Sequence, residues 1–78
     1  MSINILFFAS LREKVGRGVE YPLASPLTLR ELATRLEQSH SGLSLTGTLC
    51  AINEQYADPE TLVNAGDTVA FFPPVSGG

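Results

Sequence analysis

Apolar and polar residues alternate at the start of the chain, in "SINILFFAS", which predicts a strand from about Ser2 to Phe8. Period two places Ile3, Ile5 and Phe7 on one face and Asn4, Leu6 and Phe8 on the other, so the second face begins polar and ends apolar. In "SLREKVG" the spacing changes. Leu11 and Val15 lie four apart, Ser10 can cap and Gly16 can stop a short helical turn. "VEYPL" then reads as a second strand, confined by Pro22 to a sheet edge or to its own end, because proline has no N–H to give the ladder.

"LTLRELATRLEQ" carries the clearest helical period. Leu29, Leu32, Ala33 and Leu36 fall at i, i+3, i+4 and i+7, Thr28 and Glu31 form a T-x-x-E capping box, and Leu27 and Leu32 can form the hydrophobic staple. Arg30, Thr34, Arg35, Glu37 and Gln38 face elsewhere, so this helix covers a sheet on one side and meets water on the other. "SHSGLSLTG" reads as a loop, with His40 a solvated surface residue. "TLCAIN" reads as a strand, "NEQ" as a tight turn into a short segment around Tyr56, and "DPETLVNAGD" as a turn-rich connection. The last strand is "DTVAFF", with Val69 and Phe71 on one face, Ala70 and Phe72 on the other, and Pro73 and Pro74 ending it.

The order β, β, α, β, short β, β gives the α+β class. One main helix packed on one face of a mixed four- to five-stranded sheet, with terminal strands side by side, fits a ubiquitin-like β-grasp fold. A single helix covers only one face. If Ile3, Ile5, Phe7, Val69 and Phe71 pack beneath it, then Leu6, Phe8, Ala70, Phe72 and Tyr56 are left on the open face, an apolar patch of the kind that marks a protein interface. Seventy-eight residues make one domain. It is read as a β-grasp domain over 1–72 followed by an extended tail over 73–78.

Composition removes several function classes. A net charge of −3 and a pI near 4.8, with five scattered basic residues, argue against a nucleic-acid partner. The apolar runs are far too short for a membrane span and no charged leader precedes them, so the chain reads as cytoplasmic. One Cys and one His supply neither an intramolecular disulfide nor a metal cluster, and Cys50 is read as a packed core thiol. There is no Ser/His/Asp set, no paired-carboxylate motif and no phosphate loop, and "GRG" at 16–18 is too little for a nucleotide site.

The unusual chemistry lies in "FFPPVSGG". Pro73 and Pro74 fix φ, and Pro73 pushes Phe72 toward extended geometry, so the tail projects from the domain. Pro73, Pro74, Val75, Ser76, Gly77 and Gly78 can reach on the order of 20 Å at full extension, enough to enter a pocket on another protein. Without Cβ atoms, Gly77 and Gly78 fit a channel about as narrow as a peptide backbone. The α-carboxylate of Gly78 can attack a phosphoanhydride to become an acyl adenylate, which is then open to sulfide or to an amine. A terminal Gly-Gly taken alone reads sooner as a frayed end or an expression scar. The strand, the two prolines and the apolar face before it point instead to docking.

"AINEQYADPETLVNAGDTVAFFPPVSGG", residues 51–78, resembles the C-terminal signature of the small, sulfur-carrying subunit of molybdopterin synthase, and "ILFFASLRE" resembles its first strand and turn. The middle of the chain agrees in pattern only. The sulfur carrier of thiamin synthesis and ubiquitin-like modifiers share the fold and the two glycines, but "FFPPVSGG" is closer to the molybdopterin branch.

The resemblance implies a carrier with no side-chain catalyst and no permanently bound cofactor. ATP is used by a ubiquitin-activating-type adenylating enzyme, a sulfur donor protein converts the adenylated Gly78 to a thiocarboxylate, and the sulfur passes to cyclic pyranopterin monophosphate. The implied main partner is the large catalytic subunit of the synthase, in a heterotetramer of two large and two small subunits. The implied site residues are Gly78 as the sulfur-bearing end, Gly77 beside it in the channel, and Phe8, Tyr56, Phe72 and Arg12 at the docking contact, to which the open-face reading adds Leu6. The family's catalytic lysine belongs to the large subunit, so Lys14 is expected to be a solvated helix residue. Three alternatives stay open: a sulfur carrier of another, thiamin-type pathway, a protein modifier joined to target lysines through Gly78, and a plain interaction module.

Overall fold

The computed structural model describes residues 1–8 and 10–73 and leaves undescribed the side chains of Ser10, Glu13 and Lys14. The cap expected of Ser10, the solvated Lys14 and the tail residues Pro74, Val75, Ser76, Gly77 and Gly78 therefore lie outside what is described.

β1 (Ser2–Phe7) leads through α1 (Ser10–Val15) to β2 (Gly18–Pro22). β3 (Leu27–Thr28) runs directly into α2 (Leu29–Ser39), and β4 (Leu49–Ile52), β5 (Gln55–Ala57), β6 (Leu62–Val63) and β7 (Thr68–Phe72) follow. The main sheet has the order β2-β1-β7-β4-β5, so β2 with Pro22 is an edge strand. β1 and β7 pair in parallel, Ile5 opposite Val69 and Phe7 opposite Phe71, whereas the other pairs are antiparallel. A β1 strand ending at Phe7 is one residue shorter than the alternation predicts.

The register sorts the faces as the period-two reading requires. Ile3, Ile5, Phe7, Val69 and Phe71 are each at most 1% exposed, and Leu29, Leu32 and Leu36 of α2 close over them. Phe7 and Phe71 stack within this core at 5.9 Å. Ala33, expected on the same stripe, is only half-buried at its border.

α2 is set in place mainly from its N-terminus. Glu31 N–H donates to Thr28 Oγ1 at 3.1 Å and Thr28 N–H donates to Glu31 Oε1 at 3.1 Å, completing the capping box. Leu29 and Arg30 donate their N–H groups to the carbonyls of Thr61 and Pro59, so the 58–61 loop satisfies donors that a helix start leaves free. These bonds to Thr28 hold the Glu31 carboxyl below the usual glutamate range, with a smaller contribution from Arg35.

Several features depart from the sequence reading. β3 and β6 form a separate two-stranded sheet, Leu27 opposite Val63 and Thr28 opposite Leu62, where a capping segment and a turn were expected. The 40–48 loop is not merely polar, because it buries Leu43 and Leu45 against the core. His40 is half-buried and ends α2, its N–H donating to the Leu36 carbonyl at 3.0 Å, and is therefore more than a solvated surface residue. Cys50 is half-buried, packed against the edge of the core instead of inside it.

Gly18 answers to a close approach. A Cβ there would lie 2.6 Å from the Ile5 carbonyl oxygen, closer than such contacts occur, so β2 can pair with β1 at this register only with glycine. Gly16 just before it has φ +90 and ends α1, its N–H donating to the Arg12 carbonyl at 2.8 Å.

Candidate functional site

The face of the main sheet opposite α2 carries the predicted docking residues. Its central feature follows from the parallel β1–β7 pairing, carried one residue past the end of β1. Phe8 N–H donates to the Phe71 carbonyl at 3.2 Å, and this bond keeps Phe8 beside β7. One step beyond Phe7–Phe71, the side chains point to the opposite face, and the Phe8 and Phe72 rings stack there with centroids 4.7 Å apart and planes 13° from parallel.

Tyr56 joins from β5. It stands opposite Ala51, its ring tilted against Phe72 at a centroid distance of 6.2 Å, and it is 77% exposed. Leu6 lies on the same face and is 39% exposed. On the α1 side, the Arg12 guanidinium carbon is 6.0 Å from the Phe8 ring centroid, at the outer limit for a cation above an aromatic face. Phe8, Phe72, Tyr56, Leu6 and Arg12 thus occupy one surface. Pro73, half-buried, continues from Phe72 at its edge, and Gly78, Gly77, Ser76, Val75 and Pro74 fall outside the described residues.

The sequence reading missed two contributors. Leu49 pairs with Phe72 and is 46% exposed on this face, and Ala51 pairs with Ala70. Only the β4–β7 register reveals them, because "TLCAIN" by itself does not say which alternate set faces the helix. Ala51 and Ala70 lie in a depression of about 330 Å³ lined also by Leu6, Phe8, Phe72, Tyr56, Thr68 and Glu54.

A second depression of about 380 Å³ lies on the helix side, between α2 and the 45–48 loop, with Cys50 on its wall. Burial pushes the Cys50 thiol up, and a hydrogen bond with Thr48 only partly offsets this, so the thiol stays protonated near neutral pH and is a poor nucleophile. Among the described residues, no group of three or more His, Cys, Asp or Glu side chains is placed to hold a metal ion, and no helix is long and apolar enough to cross a membrane.

A five-stranded mixed sheet with parallel terminal strands and one main helix across one face defines a ubiquitin-like β-grasp protein, here with an aromatic platform at the end of its last strand. Residues 5–78 match the ThiS family, and the chain belongs to that family. It is 39% identical to the molybdopterin synthase sulfur carrier subunit of Haemophilus influenzae, an alignment covering 97% of this chain and 99% of that protein. It is 33% identical to the protein of the same name from Escherichia coli, over 97% of this chain and 99% of that one.

Among solved structures, small archaeal modifier protein 1 of Haloferax volcanii superposes with a TM-score of 0.78 at 25% identity, covering 95% of this chain and 98% of that one. The protein–protein complex of subunits 1 and 2 of the molybdopterin-converting factor from Helicobacter pylori contains a chain that superposes with a TM-score of 0.69 at 26% identity, covering 100% of both chains.

Proposed function

We propose that this chain is the sulfur-carrying subunit of a molybdopterin synthase and that Gly78 bears the sulfur. The aromatic open face docks on the large catalytic subunit, and the tail that starts at Pro73 carries Gly78 into that subunit's pocket. An assembly of two large and two small subunits follows the family pattern. The observation that carries the reading is the Phe8–Phe72 stack, a half-buried aromatic platform on the open face beside the exposed Tyr56 and Leu6. The relatives named above agree with it in name and over nearly their whole length.

The chemistry proceeds in two displacements before delivery. A ubiquitin-activating-type enzyme binds ATP, the Gly78 carboxylate oxygen attacks the α-phosphorus, and pyrophosphate leaves. Sulfur at the oxidation level of sulfide, supplied by a donor protein, then attacks the acyl carbon, and AMP leaves to give the thiocarboxylate. On the large subunit the thiocarboxylate sulfur bonds to a carbon of cyclic pyranopterin monophosphate, water then cleaves the Gly78 acyl–sulfur bond and restores the carboxylate, and two such transfers build the dithiolene. The raised pKa of Cys50 and its place on the helix side keep it out of this sequence.

Deleting Gly77 and Gly78 tests the division of labour. The shortened chain is expected to bind the large subunit within about three-fold of the full chain, since hot-spot aromatics dominate such interfaces, and to yield no dithiolene product. A shortened chain that still supports product formation would contradict the role of Gly78.

A second reading has its own support in the likeness to small archaeal modifier protein 1. The same adenylate, taken by a lysine amine in place of sulfide, would make the chain a protein modifier. Isopeptide adducts ending in Gly78 in cell extracts would favour it. A thiamin-type carrier would load sulfur in the same way but leave the large subunit unbound.

A further inference from the structure

The β4–β5 hairpin turns on two residues in the left-handed region, and only one of them is anchored by its side chain. Asn53 has φ +50, and its side-chain oxygen accepts from the Thr68 N–H at 3.0 Å while its amide donates to Asp67 Oδ1 at 3.0 Å. Its backbone N–H donates to the Thr68 carbonyl at 2.8 Å. Glu54 has φ +71, and its carboxylate makes no hydrogen bond or ion pair among the described residues. In a two-residue loop with positive φ at both positions glycine normally follows asparagine, because a side chain there is strained. A long acidic side chain held at such a position points to a use for it.

Its location suggests the use. Glu54 stands on the rim of the open-face depression that contains Ala51 and Ala70, cross-strand partners whose side chains end at Cβ while Phe8, Phe72 and Tyr56 rise around them. The result is a mostly apolar bed, with Thr68 on its wall and a carboxylate at its rim, roomy enough to admit one long side chain. A purely aliphatic occupant would strip water from Glu54 without pairing it, which is unfavourable. A side chain with an apolar stem and a cationic tip satisfies both parts, with its charge also near the Tyr56 ring.

We infer that this depression receives one lysine or arginine side chain of the large synthase subunit, its stem over Ala51 and Ala70 and its head on the Glu54 carboxylate. This rests on the docking assignment made under the proposed function. Glu54 then selects between partners that bring a cation to this point and those that do not, while Phe8 and Phe72 supply most of the affinity.

The test is calorimetric titration of the full chain with the large synthase subunit of the same organism, at low and at high salt. Glu54→Gln keeps the size of the side chain and removes the charge. It is expected to weaken binding about five-fold at low salt, with the difference shrinking at high salt as the ion pair is screened. Glu54→Gly is expected to weaken binding similarly while raising Tm by a few degrees, because glycine relieves the strain. Ala70→Leu fills the bed and is expected to weaken binding by about ten-fold or more. Glu54→Gln binding like the parent at both salt concentrations would overturn the cationic contact, and so would unaltered binding by Ala70→Leu. Phe72→Asp serves as the separate control. If it abolishes binding while Glu54→Gln does not weaken it, this inference fails and the docking assignment stands, whereas a parent chain that does not bind overturns both.

Discussion

Phe8 and Phe72 stack at 4.7 Å on the face of the sheet that α2 leaves open, one residue beyond the Phe7–Phe71 pair that stacks inside the core. A single parallel register therefore sets both the core and the platform. Replacing Phe72 by Asp removes the outer stack and puts an unpaired charge where a partner would exclude water. The expected result is a loss of affinity for the large subunit of about 100-fold or more. The fold is retained, with Tm lowered by roughly 5–10 °C for the lost stacking. Titration of the folded variant against the large subunit checks both.

Gly18→Ala tests the backbone approach between β1 and β2. Its Cβ would meet the Ile5 carbonyl oxygen at 2.6 Å and Leu6 Cδ2 at 3.1 Å, and the nearer contact is to backbone that cannot rotate away. A destabilisation of about 2 kcal/mol is expected, visible as a Tm lower by roughly 10 °C. A Tm unchanged within a degree would mean that the edge strand moves freely.

The capping box makes a pH-dependent contribution. Glu31 has a folded-state pKa below its unfolded value, because Thr28 hydrogen-bonds the ionised carboxylate. Its contribution is present above the unfolded pKa, about 4.3, and is lost as pH falls through the lower folded value. Denaturant titrations should thus show parent and Glu31→Gln separated at neutral pH and converging in acid. Thr28→Ala should cost about 1 kcal/mol at neutral pH through loss of the cap.

Cys50 should react slowly. Burial raises its pKa, so alkylation by iodoacetamide should have a pH midpoint above the ordinary thiol value of about 8.5. Cys50→Ala should leave sulfur loading of the chain intact. A midpoint below 7 would show an activated thiol and reopen the question of a nucleophile in this domain.

The faces of β1 and β7 and the cap of α2 could be read from the sequence because each is written in local spacing: Ile3, Ile5 and Phe7 by period two, Thr28 and Glu31 by the capping box. The β3–β6 sheet could not, since two-residue strands such as Leu62–Val63 have no period and pair with residues over thirty positions away. Leu43 and Leu45 sit among serines and glycines that signal a loop, and only packing under the end of α2 buries them. Phe8 and Phe72 could be placed on one face from alternation. The contributions of Leu49, Ala51 and Glu54 depended on the register of β4 against its neighbours, which hydrophobic pattern leaves undetermined.

The central claim concerns the end of the chain, and the mass of the intact protein tests it most directly. The protein would be weighed before and after incubation with ATP, an adenylating enzyme and a sulfur source, and fragmented to locate any change. Exchange of one carboxylate oxygen for sulfur adds about 16 Da, nearly the same as ordinary oxidation, so the fragment spectrum must place the change on Gly78. An ATP-dependent gain of that mass on Gly78 is the predicted result. An unchanged Gly78, under conditions that convert an established carrier, would contradict the sulfur-carrier assignment.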